Sequence, residues 1–213
     1  MKNNYFLSYS FIPINTISNT TTPNTPTTPN TVSIFAKSIN TNADNYSSKY
    51  GVPFECVEFI RRFFVTQCNY TFPSVTDAED MFYTINMLTN ISNQHIIILK
   101  TYQYPYDGVE YQHQETTNKI FSYLKPGSIL FWKKTNNVNL TYGHVALVIS
   151  ANESYVTIAN QNLHPYIRTY NTTELIQSIN SENSQFLGIK VIPTKLSEFL
   201  EPKMNNIRVI QTK

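Results

Sequence analysis

Two residues of this chain could together carry out covalent catalysis: a cysteine that begins a helical pattern and a histidine that begins a strand pattern. Cys56 follows a loop containing Gly51 and Pro53, and the residues after it have the apolar spacing of a helix. A thiol at a helix N-terminus lies at the positive end of the helix dipole, which favours the thiolate, and the thiolate is the nucleophile. The sequence therefore predicts covalent catalysis by Cys56, provided that the fold brings a histidine to it.

The candidate base is His144, which opens a buried-looking strand over 144–149. A short polar loop separates this strand from a second one over 155–160. If the loop is a hairpin centred on Asn152, His144 lies directly opposite Asn160, with the two Cβ atoms about 5 Å apart. An amide oxygen that accepts from one ring nitrogen leaves the other nitrogen for the thiol, as in the Cys-His-Asn arrangement of papain-like enzymes. A slip of one residue would place the pair on different faces.

Each of these residues also has an explanation without chemistry. A single cysteine in a helix is usually a small buried hydrophobe. An asparagine at a strand end is commonly part of a turn, and a histidine at a strand start is often structural. Their combination, with the cysteine at a loop-to-helix junction and the other two facing each other across a hairpin, is what favours catalysis.

The bulk composition indicates one folded domain without affinity for polyanions. The chain has 213 residues, of which 41% are hydrophobic and 14% charged, and its net charge is +2. No basic run stands out, so we expect neither nucleic acid nor an anionic membrane as a partner. No apolar run approaches the roughly 20 residues of a transmembrane helix. The N-terminal stretch faintly resembles a signal peptide, but Ser8, Ser10 and Pro13 interrupt its apolar run and no small-residue cleavage site follows, so we expect a cytoplasmic protein.

The cysteines do not indicate a disulfide, and no pattern indicates a metal site. Cys56 and Cys68 are the two cysteines of the chain. On one helix they would lie about 18 Å apart, which is beyond disulfide reach. No HExxH, paired CxxC or Asp/Asn-rich calcium loop occurs, so we expect neither a metal nor another cofactor.

Three regions follow from the distribution of residue types. Residues 1–31, which are rich in Thr, Asn and Pro towards their end, are predicted to form an N-terminal arm. Residues 32–200 are predicted to form the folded domain, and residues 201–213 a C-terminal tail.

Helices are predicted over 54–67, over 77–88 with Thr76 as N-cap and Glu79 completing a capping box, and over 172–180. Strands are predicted over 128–133, 144–149, 155–160 and 186–193. The segment 96–119 is predicted to be a strand followed by a long loop. Helices first and strands afterwards predict an α+β fold with N-terminal helices packed on an antiparallel sheet.

Four motifs, in order, resemble those of a known family. The segment 50–62 (YGVPFECVEFIRR) is similar to the nucleophile motif of the CHAP amidase domain, closest to its glutathionylspermidine and trypanothione amidase branch. Residues 124–132 (LKPGSILFW), 143–146 (GHVA) and 158–162 (IANQN) resemble the strand entry, histidine motif and third-position motif of that family. The resemblance implies a papain-like (CHAP/NlpC-P60) fold and amide hydrolysis through a thioester.

The resemblance also implies roles for individual residues. Cys56 would be the nucleophile and His144 the base, while Asn160 stands where the family pattern has Glu. An amide orients the imidazole without adding charge, so a thiolate–imidazolium pair should be less favoured here. Arg61, Gln161 and Asn162 would contact the substrate, with the planar fork of Arg61 suited to a carboxylate. The alternative is that Arg61 and Arg62 are solvated helix residues or pair with Glu58.

Three functions are consistent with these patterns. The first is a cysteine amidase that acts on a small-molecule or peptide amide, above all a glutathione–polyamine conjugate such as glutathionylspermidine. The second is a peptidoglycan amidase or endopeptidase. The third is an idle binding or structural protein that keeps the fold, for which the Asn160 departure argues. The rate of Cys56 alkylation against pH would separate the third from the others.

Overall fold

The computed structural model describes residues 32–36, 49–51, 55–104, 121–135, 142–163, 165–179 and 185–211. Within these ranges the helices are α1 (Cys56–Cys68), α2 (Ala78–Thr84), α3 (Thr172–Ile179) and α4 (Thr194–Met204). The strands are β1 (Val32–Ala36), β2 (Tyr70–Thr71), β3 (Met87–Asn90), β4 (Ile96–Ile98), β5 (Lys100–Gln103), β6 (Ile129–Trp132), β7 (His144–Ala151), β8 (Tyr155–Asn160), β9 (Ile167–Asn171), β10 (Phe186–Val191) and β11 (Ile207–Gln211). The predicted α+β class is confirmed. The N-terminal arm and most of the long loop lie outside the described residues.

A six-stranded antiparallel sheet forms the centre of the molecule, in the order β5-β10-β6-β7-β8-β9. Its two faces carry separate apolar clusters. One cluster joins α1, α2 and α4 to the sheet, and the other joins α3 to the opposite face. Because both faces are covered, β6 is an apolar run without the alternation of a half-exposed strand, and β10 is buried throughout although it contains Lys190. A smaller sheet consists of three strands that are paired in the order of the sequence, β2-β3-β4.

Helix α1 is fixed to the sheet by its aromatic side chains. Phe59, Phe63 and Phe64 have no exposed surface and belong to the cluster that includes Val145 and Leu147 of β7. Positions four residues apart lie on one side of a helix, so this spacing directs one stripe of α1 onto the sheet. The helix ends at Asn69, which adopts a left-handed conformation (φ 60°) and whose N–H donates to the Val65 carbonyl. The anchored helix holds its first residue, Cys56, beside the start of β7.

The second helix begins and ends differently from the prediction. Asp77, and not Thr76, is the N-cap, and its carboxylate accepts from the Asp80 N–H at 2.9 Å. The helix ends at Thr84 because the next residues leave it to join the small sheet. There the Asn86 carbonyl accepts from the Leu99 N–H. The predicted capping box is wrong because Glu79 accepts a hydrogen bond from the Lys134 N–H instead.

The hairpin of β7 and β8 confirms both strands and corrects their register. Asn160 pairs with Ala146, two residues further along β7 than predicted. The turn lies after Asn152, whose N–H donates to the Tyr155 carbonyl and whose side chain accepts from the Ser154 N–H at 2.9 Å. A bulge between Val148 and Ser150 also shifts the pairing. A two-residue shift keeps the face, so Asn160 is a diagonal neighbour of His144.

The region predicted as a C-terminal tail is part of the folded structure. Helix α4 continues to Met204, which is buried, so the boundary placed at residue 200 falls inside a helix. Strand β11 follows and pairs in parallel with β1, with Val32 opposite Ile207. The prediction failed because short paired strands with mixed residues leave no periodic pattern in the sequence. None of the helices in the described ranges has the length and apolar character needed to cross a membrane.

Candidate active site

Cys56 is the first residue of α1 and lies against the start of β7. Backbone N–H groups of Cys56, Val57 and Val145 are directed at its sulfur. The contact with Val145 matters most, because Val145 directly follows His144 in the chain. The fold thus places the predicted nucleophile against the residue that directly follows the predicted base, although 88 positions separate Cys56 from His144.

The environment of the thiol opposes ionisation, contrary to the effect expected of a helix end. Burial, together with the carboxylate of Glu55, raises the pKa of Cys56 to about 12, although the three backbone N–H groups act in the opposite direction. Burial also lowers the pKa of His144 to about 4. At neutral pH the resting site therefore holds a neutral thiol and a neutral imidazole.

Asn160 is held so that its amide oxygen is left for the histidine. Its Nδ2 donates to the carbonyls of Pro165 at 3.1 Å and Tyr166 at 3.4 Å. Within the described part of the chain, Oδ1 of Asn160 and Nε2 of His144 are both buried and lack a well-formed hydrogen bond. Asn160 nevertheless acts on the imidazole, since it favours the charged form and tends to raise the pKa of His144. The diagonal register explains this loose contact, because diagonal neighbours lie further apart than directly paired residues.

The three residues that the family resemblance assigns to the substrate are tied to the protein itself. Gln161 has no exposed surface, and its Nε2 donates to the Glu55 carbonyl at 2.9 Å and to Glu58 at 3.3 Å. This enclosure opposes its predicted contact with a substrate, which stays a prediction. Asn162 donates to Glu55 Oε2 at 2.9 Å. A contact between Asn162 and substrate stays a prediction.

Arg61 lies at the wall of the cavity, where three of its N–H groups bind backbone carbonyls. Nε donates to Phe72 at 3.3 Å, Nη2 donates to Pro73 at 2.8 Å, and Nη1 donates to Tyr50. The guanidinium also stacks on the Phe72 ring, 4.6 Å from its centroid. Arg61 therefore joins two loops to α1, and its predicted role towards a substrate carboxylate rests on the N–H groups that remain.

A buried ion pair links α1 to the segment after β8. Arg62 and Glu58 are each 1% exposed and lie 2.7 Å apart, one helical turn from each other. Arg62 Nη2 also lies 3.3 Å from Gln161 Oε1. Since Gln161 directly follows Asn160, this network fixes the third residue of the predicted triad relative to the helix of the first. The pairing with Glu58, considered for both arginines, applies to Arg62.

The thiol opens onto a cavity of about 310 Å³ between the N-terminal ends of α1 and α2. Its wall includes Glu55, Arg61, Asp77 and Tyr142. Sequence analysis missed Glu55, although its position directly before the nucleophile was visible. Glu55 occupies the N-cap position of α1, yet it makes no side-chain cap to the helix and lines the cavity instead.

A comparison with known families accounts for this arrangement. A family model described as the CHAP domain matches residues 45–162, which is more than half of the chain. The chain belongs to the CHAP domain family. No curated protein shows significant similarity to it. The CHAP match covers Cys56, His144 and Asn160, implies a papain-like fold, and supports a cysteine hydrolase of the amidase or peptidase type.

The orienting role of Asn160 in this CHAP domain can be tested through the pH profile. We expect Asn160→Ala to lower kcat/KM by about 10- to 100-fold, the value of one hydrogen bond to a charged group. Asn160→Glu should raise the pKa of His144, because an opposite charge favours imidazolium. The acidic limb of kcat/KM, set by a pKa of about 4 in the wild type, should then move to higher pH. Full activity of Asn160→Ala with an unchanged limb would contradict the role.

Proposed function

We propose that this protein is a cysteine amidase that cleaves an amide bond through a thioester acyl-enzyme. The observation that carries the proposal is the meeting of Cys56 with the start of β7 at a cavity, where His144 precedes the contact residue Val145. Asn160, whose donors are occupied by backbone carbonyls, supports the orientation of the imidazole. The same residues stand in the CHAP-matched part of the chain.

The proposed reaction begins from the neutral pair. His144 accepts the thiol proton as the sulfur of Cys56 attacks the carbonyl carbon, and the backbone N–H of Cys56, in the first turn of α1, donates to the developing oxyanion. The imidazolium then gives its proton to the amide nitrogen, the C–N bond breaks, and the amine leaves. Water, deprotonated by His144, attacks the thioester. The carboxylic acid leaves and the thiol is restored.

The leading substrate class is a glutathione–polyamine conjugate, of which glutathionylspermidine is the example. The resemblance of 50–62 to that amidase branch supports it, and so does the carboxylate of Glu55 in the cavity wall, which suits a polyamine. A peptidoglycan stem peptide is the second candidate. Its diamino acid carries an ammonium group that the same carboxylate suits, and the CHAP match is compatible with both.

The two substrates can be separated in one experiment. The protein and its Cys56→Ala variant are incubated with glutathionylspermidine and, separately, with purified cell walls, and the soluble products are identified by mass spectrometry. Spermidine release that requires Cys56 would support the first candidate, and soluble wall peptides that require Cys56 would support the second. Cys68→Ala is the matched control, since Cys68 lies at the other end of α1. Absence of both products would contradict the amidase proposal for these substrates.

A further inference from the structure

Glu55 presents a carboxylate to the cavity beside the nucleophile. One oxygen, Oε2, accepts from Asn162 Nδ2 at 2.9 Å. Asn162 holds this position from a left-handed backbone conformation, with φ 57°. Among the described residues, no side chain or backbone group hydrogen-bonds to the other oxygen, Oε1. The carboxylate is therefore held through one oxygen, and the residue also lines the cavity next to Cys56.

The other carboxylates of the cavity wall already have cationic partners. Glu58 pairs with Arg62 at 2.7 Å. Asp77, the N-cap of α2, pairs with Lys134 at 2.7 Å. Within the described part of the chain, Glu55 is thus the cavity carboxylate without an ion-pair partner. Arg61, on the same helix, directs its N–H groups to three backbone carbonyls.

An uncompensated carboxylate at this position works against the nucleophile. Glu55 raises the pKa of the neighbouring Cys56, and a negative charge here also repels the oxyanion that forms in the reaction. Burial raises the pKa of Glu55 itself, whereas the hydrogen bond from Asn162 favours its charged form. His144, on β7, is neutral at pH 7 because burial lowers its pKa to about 4, and it supplies no compensating charge in the resting state.

We propose that Glu55 binds an ammonium group of the substrate and selects substrates that carry a cation close to the scissile amide. The inference rests on the proposed amidase function and narrows its substrate class. Tyr142 adds a second element of such a subsite, because this residue lines the cavity and is 61% exposed. An aromatic face and a carboxylate together suit an alkylammonium group.

The contact couples recognition to activation. An ammonium bound to Glu55 neutralises the charge that raises the pKa of Cys56, so the thiol ionises more readily once the right substrate is present. The cation of the substrate then affects kcat as well as KM, because its binding makes the Cys56 thiol more reactive in the chemical step. A neutral substrate of the same shape would leave the carboxylate uncompensated next to the developing negative charge.

The selectivity is tested with two γ-glutamyl-peptide amides of equal length, one with an aminoalkyl and one with an alkyl leaving group. We expect the wild type to prefer the cationic amide in kcat/KM by about 10- to 100-fold. Glu55→Gln keeps the shape and an oxygen for Asn162, and should abolish this preference by raising turnover of the neutral amide and lowering that of the cationic one. Glu153→Gln, on the exposed β7–β8 turn, is the control for loss of one negative charge and should keep the preference. An unchanged preference in Glu55→Gln would overturn the proposal and leave Cys56-dependent hydrolysis standing.

A second measurement tests the contact without turnover. The Cys56 peptide is quantified by mass spectrometry after brief reaction with iodoacetamide at fixed pH. In the wild type, n-propylammonium chloride should accelerate alkylation relative to the same concentration of sodium chloride. In Glu55→Gln the rate should be higher from the start and indifferent to n-propylammonium. Equal rates with both salts in the wild type would overturn the proposal even where no substrate is hydrolysed.

Discussion

Replacing His144 with alanine is expected to lower kcat/KM at pH 7 by about 10³-fold, within the range of general-base catalysis. The reason is the resting state of the site. Burial and Glu55 hold the pKa of the Cys56 thiol at about 12, so almost no thiolate exists at neutral pH. Without a neighbouring base, nothing removes the thiol proton as the sulfur attacks.

The residual activity of this variant carries a further expectation. Below the pKa of the Cys56 thiol, which is about 12, each pH unit increases the amount of thiolate tenfold. The rate of His144→Ala should therefore rise steeply from pH 7 to pH 9, while the wild-type rate changes little because its proton acceptor is already neutral above pH 4. Initial rates of amide hydrolysis over this range measure both.

A matched control is available in His95, an exposed histidine of the small-sheet region that bonds to Tyr70. His95→Ala should retain the wild-type rate and pH profile. The expectation for His144 fails if His144→Ala keeps more than about a tenth of the wild-type kcat/KM at pH 7, since general bases contribute more than that.

The second large effect concerns stability and the ion pair of α1. Arg62→Ala should lower the free energy of unfolding by about 3 kcal/mol, because it leaves the Glu58 carboxylate buried without its cation. Both side chains are 1% exposed, so water cannot replace the lost partner. Urea denaturation followed by tryptophan fluorescence would measure the change, since the chain contains one tryptophan.

Two further variants test whether the stability loss of Arg62→Ala arises because the Glu58–Arg62 pair is buried. Replacing both members, Glu58→Leu with Arg62→Met, should recover much of the loss because no buried charge remains. Lys134→Ala removes the partner of Asp77 from a pair in which the lysine is 46% exposed. That change should cost less than about 1 kcal/mol. A loss below 1 kcal/mol for Arg62→Ala would contradict the importance of the network.

The sequence predicted elements with strong patterns and missed those set by distant contacts. Helix α1 and strand β8 were predicted within two residues of their bounds, because an aromatic stripe and an apolar run mark them. The small β2-β3-β4 sheet and the β1–β11 pair escaped because their strands are short and depend on partners elsewhere in the chain. Local patterns hold no information about such pairing.

The candidate site shows the same limit. Cys56, His144 and Asn160 could be selected from residue type and position, but the diagonal contact of the last two depends on a bulge and a turn shifted towards Tyr155. The burial of Gln161 could not be predicted either. It follows from Glu58 and Arg62, which lie about 100 positions earlier in the chain and meet Gln161 only after folding.

The parallel pairing of β1 with β11 has a consequence for the order in which the protein folds during synthesis. The two strands join residues that are 175 positions apart, such as Val32 and Ile207. Every other helix and strand that the structure describes is synthesised before β11. Helix α1 and the β7–β8 hairpin can therefore associate first, since their contacts span shorter stretches and cost less loop entropy. We therefore expect β1 to pair with β11 last, after the helix that carries Cys56 and the strand that carries His144 have assembled.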